Sequence, residues 1–290
     1  MTESPSLLGR PSAVLLAVAM FAGGLAVSGG LLLPRTRTSP EAPGPSAGAG
    51  GPAGQTAPDE RRDGDPAALR RFFGPGLTPL RHGTFGLERA TVDGGVLKVR
   101  YPAHSASPRA TGEDSSGAQL YLARARGPVD EARLTYRLRL PAGFDFVRGG
   151  KLPGLYGGTV TSGGSIPDGT NGFSTRYMWR ARGAGEVYAY LPSSVEHGTS
   201  LGRGAWRWPT GRWVEVEQHL RLNTPGRADG LLEVRVDGRR VWRAADLTFR
   251  TTRSLRIDGV FFSTFFGGGD VSWATPVDQA AEFSDLRLTP

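Results

Sequence analysis

From about residue 90 onward, apolar and polar residues alternate in short runs, and no helical period extends over a long stretch. Leu97, Val99 and Tyr101 share one face of a run whose other face carries Lys98 and Arg100, and Asp93-Gly94-Gly95 before it reads as a turn. Ala132, Leu134, Tyr136, Leu138 and Leu140 alternate with Arg133, Thr135, Arg137 and Arg139, as in a long half-buried strand. Val214, Val216, Leu220 and Leu222 form a third stripe. Leu232, Val234 and Val236 lead into Asp237-Gly238, a hairpin signal, and then Val241 and Trp242. Val260–Phe266 is a dense apolar strand and Glu282–Leu288 a closing one. Short helices are predicted near Ala67–Phe73 and Pro276–Ala281. Many antiparallel strands at this spacing predict an all-β fold, a β-sandwich or jelly roll with few short helices.

The N-terminal quarter reads differently. Ala13–Leu33 is apolar and uncharged, with Arg10 before it and Arg35 and Arg37 after it. Residues 1–33 are expected to be a signal peptide or signal anchor: Ala26-Val27-Ser28 suits cleavage, and the run is about as long as the ~20 residues that span a bilayer. Residues 34–68 are rich in Pro, Gly, Ala, Ser and Thr and are expected to be a disordered linker, because they offer little apolar surface to bury. The folded domain is expected over residues 69–290, secreted or anchored outside the cytoplasm.

Gly172–Arg180 puts Phe173, Thr175, Tyr177 and Trp179 on one face and Ser174, Arg176, Met178 and Arg180 on the other. Glu186–Leu191 puts Tyr188 and Tyr190 opposite Val187, Ala189 and Leu191. Pairing symmetrically about the turn at Gly183 sets Arg176 opposite Tyr190, Met178 opposite Tyr188 and Arg180 opposite Glu186. Cross-strand partners point the same way with Cβ atoms about 5 Å apart. Ser174, Arg176, Tyr188 and Tyr190 then share a face, an arrangement that a one-residue slip would destroy.

Composition narrows the chemistry. The chain has 290 residues, 43 Gly, 22 Pro and no Cys, which excludes disulfides, thiolate metal sites and a cysteine nucleophile. His82, His104, His197 and His219 lack zinc-site spacing, and Asp168, Asp270 and Asp278 fit no calcium loop, so no metal or cofactor is expected. The formal charge of +8 favours polyanions. The cations are nearly all Arg: Lys98 and Lys151 are the only lysines.

Lys151-Leu152-Pro153-Gly154-Leu155-Tyr156-Gly157-Gly158 precedes the hairpin. This segment, the S-x-R of Ser174 and Arg176 and the Y-x-Y of Tyr188 and Tyr190 resemble the polysaccharide lyases of the alginate lyase/glucuronan lyase type (family 14-like). The likeness runs from about Leu77 to the end and includes Phe265-Phe266-Gly267-Gly268. It implies β-elimination on a uronate polymer such as alginate or polyglucuronate, with a site made of Lys151, Ser174, Arg176, Tyr188 and Tyr190. Elimination needs the C5 proton removed, the enolate stabilised and O4 protonated. The uronate carboxylate opposes the first step, and Lys151 and Arg176, with help from Ser174, would neutralise it. Adjacent cations are expected to lower the tyrosine pKa, so that Tyr188 and Tyr190 divide the base and acid roles or one serves both. Tyr156, Arg180, His104, Trp206 and Trp208 are the further substrate-binding candidates. An acidic polysaccharide is the expected partner, with a membrane tether possible through the N-terminal segment, and the protein is expected as a monomer.

Three other readings compete. A lectin-like sandwich would bind acidic glycans without cleaving them. A glycoside hydrolase would need a carboxylate pair, for which Glu215, Glu217 and Glu233 are available, but they lack the E-x-D-x-x-E pattern. Nucleic-acid binding is disfavoured because the arginines are scattered along strands. Gly163-Gly164 and Gly267-Gly268-Gly269 match no phosphate-binding loop and read as turns.

Overall fold

The computed structural model describes residues 64–290. The expected signal or anchor over residues 1–33, and the linker up to residue 63, lie outside the described residues. Helix α1 (Pro66–Phe73) opens this part, three residues ahead of the expected boundary at Leu69. Asp65 caps it by accepting the Ala67 N–H at 2.8 Å, Pro66 occupies its first turn, and Gly74 at φ 73° ends it. Leu69 and Phe73 are buried against the sheets.

Among the described residues, fourteen strands form two antiparallel sheets of seven. The first sheet holds β1 (Leu77–Pro79), β4 (Ala118–Arg124), β6 (Gly149–Gly158), β7 (Gly172–Arg180), β8 (Gly185–Tyr190), β9 (Thr199–Leu201) and β13 (Gly259–Phe266), in the order β1-β4-β13-β6-β7-β8-β9. The second holds β2 (Ala90–Asp93), β3 (Val96–Tyr101), β5 (Glu131–Arg139), β10 (Trp213–Arg221), β11 (Gly230–Val236), β12 (Arg239–Leu247) and β14 (Gln279–Thr289), in the order β12-β11-β10-β5-β14-β3-β2. A single-turn helix, α2 (Pro108–Thr111), lies between β3 and β4. The core fills the space between the sheets, and the alternating stripes on β3, β5 and β10 point into it. Asp237 and Gly238, at φ 50° and 73°, make the expected tight turn between β11 and β12.

The strand β6 runs through the middle of the first sheet, between β13 and β7, and carries Pro153. Proline cannot donate to a ladder, so a central strand tolerates it only at a bulge. The register shifts there: Leu152 pairs with Tyr177, but Gly154 pairs with Arg176. The bulge reverses the strand's parity. Leu152 and Leu155 both enter the core, while Lys151 and Tyr156 point out of it. The second sheet completes the hydrogen bonding at this point. Tyr136 donates to the Pro153 carbonyl at 3.2 Å, and Gln218 Oε1 accepts the Leu155 N–H at 3.2 Å. Gln218 also accepts from Thr175 Oγ1 at 2.7 Å and donates to the Thr175 carbonyl at 2.8 Å. Gln218 is fully buried at a position where the β10 stripe would place a leucine or valine.

Two expectations change. The hairpin of β7 and β8 turns through a 3-10 segment, Ala181–Gly183, with Arg182 at φ 58°. It is therefore centred one residue earlier, so Ser174 faces Tyr190, Arg176 faces Tyr188 and Met178 faces Glu186. Each partner moves by two residues, which preserves the faces. The short helix expected at Pro276–Ala281 is absent. Gln279, Ala280 and Ala281 pair with Tyr101, Arg100 and Val99 instead. So short a helix is marginal on its own, and ladder bonds plus burial of the two alanines favour a strand.

Replacing Gln218 by Ala strands the Leu155 N–H and the Thr175 carbonyl, at about 1–3 kcal/mol per buried group. The melting temperature should fall by roughly 5–15 °C; an unchanged melting curve would refute the bridge's role.

Candidate active site

The site lies on the face of the first sheet that points away from the core. Strand pairing arranges it in rows. One row runs Phe265–Lys151–Met178–Glu186 and the next runs Phe261–Gly154–Arg176–Tyr188–Ser200. A third runs Tyr156–Ser174–Tyr190. Lys151, Arg176, Tyr188 and Tyr190 converge on one cleft. Its walls are the loops carrying Ser107–Arg109, Ser162–Gly164, His197 and Gly267–Gly269, together with Phe85, Gln119 and Phe265. Among the described residues, no carboxylate lines it.

Lys151 is buried. Its Nζ lies 3.7 Å from the centre of the Tyr188 ring and donates to Met178 Sδ at 2.8 Å. Burial, then the charges of Arg176 and Arg180, push its pKa well below the usual lysine value, and Glu186 acts the other way. The Tyr188 ring face also favours the ammonium, but by about 0.5–2 kcal/mol. Full burial shifts lysines by up to about 3–5 units, so burial wins.

Arg176 is 3 % exposed. Its guanidinium lies 4.3 Å from the centre of the Phe261 ring, and Nη1 donates to Ser263 Oγ at 3.2 Å. Its Nε is buried with no hydrogen-bond partner among the described residues. Burial lowers its pKa, against the pull of Tyr121, Tyr190 and Tyr188.

The two tyrosines meet edge to face at 5.8 Å. The Tyr190 hydroxyl accepts the Gly164 N–H at 3.2 Å, and the backbone of Gly198 hydrogen-bonds Tyr188. The expected lowering of the tyrosine pKa does not hold for Tyr188. Burial and Tyr190 raise it, and outweigh Arg180 and Arg176.

The other candidates have different places. Ser174 is fully buried under the cleft and donates to the Thr161 carbonyl at 2.6 Å, tying down the loop of Ser162–Gly164. Tyr156 packs with Tyr121 and Phe261 in a small aromatic cluster outside the cleft lining. Arg180 is committed to Glu186 through Nε at 2.8 Å and through Nη2. His104 is exposed, at φ 63°, and does not line the cleft. Trp206 and Trp208 are core residues packed edge-on against Tyr177. Glu215 and Glu217 lie on β10 in the other sheet, and Glu217 is paired with Arg133, which removes them as a hydrolase pair for this cleft.

Sequence reasoning passed over His197, Arg109, Gln119 and the glycine loops as cleft residues. The available signal was glycine: the doublet and the triplet read as plain turns both line the cleft. Gly198 shows the same need for space, since a Cβ there would stand 2.8 Å from the Tyr188 ring and 2.9 Å from the Tyr190 ring.

The family model for polysaccharide lyase 14 matches residues 89–286. The chain belongs to the polysaccharide lyase 14 family. It is a polysaccharide lyase, and solved structures agree. The alginate lyase of the same family from Aplysia kurodai is 31% identical, with a TM-score of 0.65, over 75% of this chain and 91% of that one. The alginate lyase Aly36B is 25% identical, with a TM-score of 0.62, over 72% and 86%. The alginate lyase vAL-1 from a Chlorella virus shares the fold at 23% identity and a TM-score of 0.61, over 71% and 88%. A search of curated proteins finds no match.

Gly198→Ala should displace both tyrosine rings and cut lyase turnover by about 10- to 100-fold, with little change in melting temperature. Full activity in this variant would show that the glycine contact does not position them.

Proposed function

We propose that this lyase cleaves an acidic, uronate-bearing polysaccharide of the alginate or polyglucuronate type by β-elimination. The observation that carries the proposal is the buried, unpartnered Nε of Arg176 in a cleft lined by cations and no carboxylate. A buried charged donor left unpaired is costly, so the site suits an anion brought by the substrate. A uronate carboxylate fits, because a guanidinium can hold it while its charge is drawn off the reacting carbon. The family relatives named above, described as alginate lyases, point to the same substrate class.

Lys151 is the base in this reading, a role the sequence alone assigned to a tyrosine. Burial pushes its pKa well down and so favours the neutral amine, whereas burial pushes the Tyr188 pKa up and favours the protonated phenol. The C5–H bond breaks, the proton goes to Lys151 Nζ, and the electron pair forms the C4–C5 double bond as the C4–O4 bond breaks. A proton from Tyr188 or Tyr190 completes the leaving O4 hydroxyl, and the ammonium of Lys151 returns one to the phenolate. A polymer substrate does not cross membranes, which supports export by the apolar segment Ala13–Leu33 and action outside the cytoplasm.

Incubation with a panel of polyuronates should release products that absorb in the ultraviolet through the new double bond. Binding without such products would favour the lectin-like reading. Tyr190→Phe should lower kcat by about 10²-fold or more with substrate binding retained; unchanged turnover would remove Tyr190 from proton transfer. The base must be neutral, so kcat/KM should climb with pH through the Lys151 pKa, and this limb should lie below the ~10.4 of a free lysine. The limb should vanish in Lys151→Met along with activity.

A further inference from the structure

Glu186 is fully buried beside this cationic cleft, yet it does not line the cleft. It stands in the same cross-strand row as Lys151, with Met178 between them. Its Oε1 receives Nε and Nη2 of Arg180, and its Oε2 lies 3.4 Å from Arg203 Nε without a hydrogen bond. A carboxylate in this position has two costs. Burial removes its hydration, and its charge opposes the anion that the cleft is built to receive. Holding a strand together does not require it, because Glu186 already pairs with Met178 through the backbone ladder.

The charges around Lys151 give the carboxylate a purpose. Strand β7 presents Arg176 and Arg180, and β8 presents Tyr188, Tyr190 and Glu186. Phe265 on β13 and Gln119 on β4 are uncharged, the loops bring Arg109 and His197 to the cleft, and Arg203 reaches Glu186 from beyond β9. Glu186 is the sole carboxylate in this set. Arg180 is the cation it cancels, with Cζ 5.6 Å from the centre of the Tyr188 ring on which Lys151 also rests.

We propose that Glu186 is a positioning residue for elimination: it locks Arg180 in a buried ion pair and so keeps the Lys151 amine able to hold the proton it removes. A base works best when its pKa lies near the working pH. Beside an uncancelled Arg180, Lys151 would be too weak a base. Beside a bare Glu186 it would remain protonated. The burial of Lys151 and the opposing influences of Arg180 and Glu186 on it agree with this balance. The inference rests on Lys151 acting as the base.

The lysine count gives a direct test. With only Lys98 and Lys151 in the sequence, lysine labelled at ζ-nitrogen gives two side-chain signals, and exposed Lys98 serves as the reference. In the full-length protein, Glu186→Gln should lower the Lys151 titration midpoint by about one pH unit, as expected for removing one charge several ångströms away in a partly screened interior. Arg180→Met should raise it. Lys98 should not move in either variant. The rising limb of kcat/KM on the best polyuronate should follow the Lys151 midpoint in direction and size. Opposite signs in the two variants are not what a general loosening of the site would give. A Lys151 midpoint that stays in place, or moves the same way in both, overturns the inference. If the midpoints move as stated but no polyuronate yields unsaturated product, the electrostatic link stands and the substrate reading fails.

Discussion

The site depends on one break in strand alternation. Lys151 and Leu155 are four residues apart on β6, so a regular strand would place both on the same face. Leu155 belongs to the core and Lys151 to the cleft. The bulge at Pro153 reconciles them, but it leaves a carbonyl and an amide without ladder partners in the middle of the sandwich. Tyr136 and Gln218 on the opposite sheet take these up. The cleft chemistry on one side of the first sheet is thus held by polar groups that cross the core from the other. Gln218 also grips Thr175, between Ser174 and Arg176, so one buried amide fixes the strands carrying both Lys151 and Arg176.

A second constraint is electrostatic. Cations gathered on a solvated surface would bind polyanions weakly and keep ordinary pKa values. Here the sheet face is roofed by loops, and Lys151 and Arg176 are buried. Burial changes what each group can do: it weakens the hold of lysine on its proton and strengthens that of Tyr188. It also makes the unpartnered Nε–H of Arg176 a strong reason to take up an anion. The same residues at the surface would make a charged patch with no defined chemistry.

Much of this was legible in the sequence. The stripes on β3, β5 and β10 fixed which residues face the core, and the parity of Ser174, Arg176, Tyr188 and Tyr190 survived a two-residue change of partner because side-chain direction repeats every two residues. The convergence of Lys151, Arg176 and the two tyrosines was likewise legible, through the resemblance carried by the Lys151 segment. What failed depended on burial, which alternation does not measure outside the core. The tyrosine pKa was argued from neighbouring charge alone, and desolvation reversed it for Tyr188. Trp206, Trp208 and Tyr156 were offered as sugar platforms because aromatic residues suit that use, but packing claims them first. His197 and the glycine loops went unassigned because loops carry no periodicity.

The hydrogen bonds to the two phenols have a further consequence. Tyr190 takes the Gly164 amide and Tyr188 meets the backbone of Gly198, so each oxygen has a lone pair engaged by a different wall of the cleft. Each phenol keeps its own hydrogen and a second lone pair for the cleft. The loops of Gly164 and Gly198 therefore bear on how each phenol is oriented, and not only on the shape of the cleft.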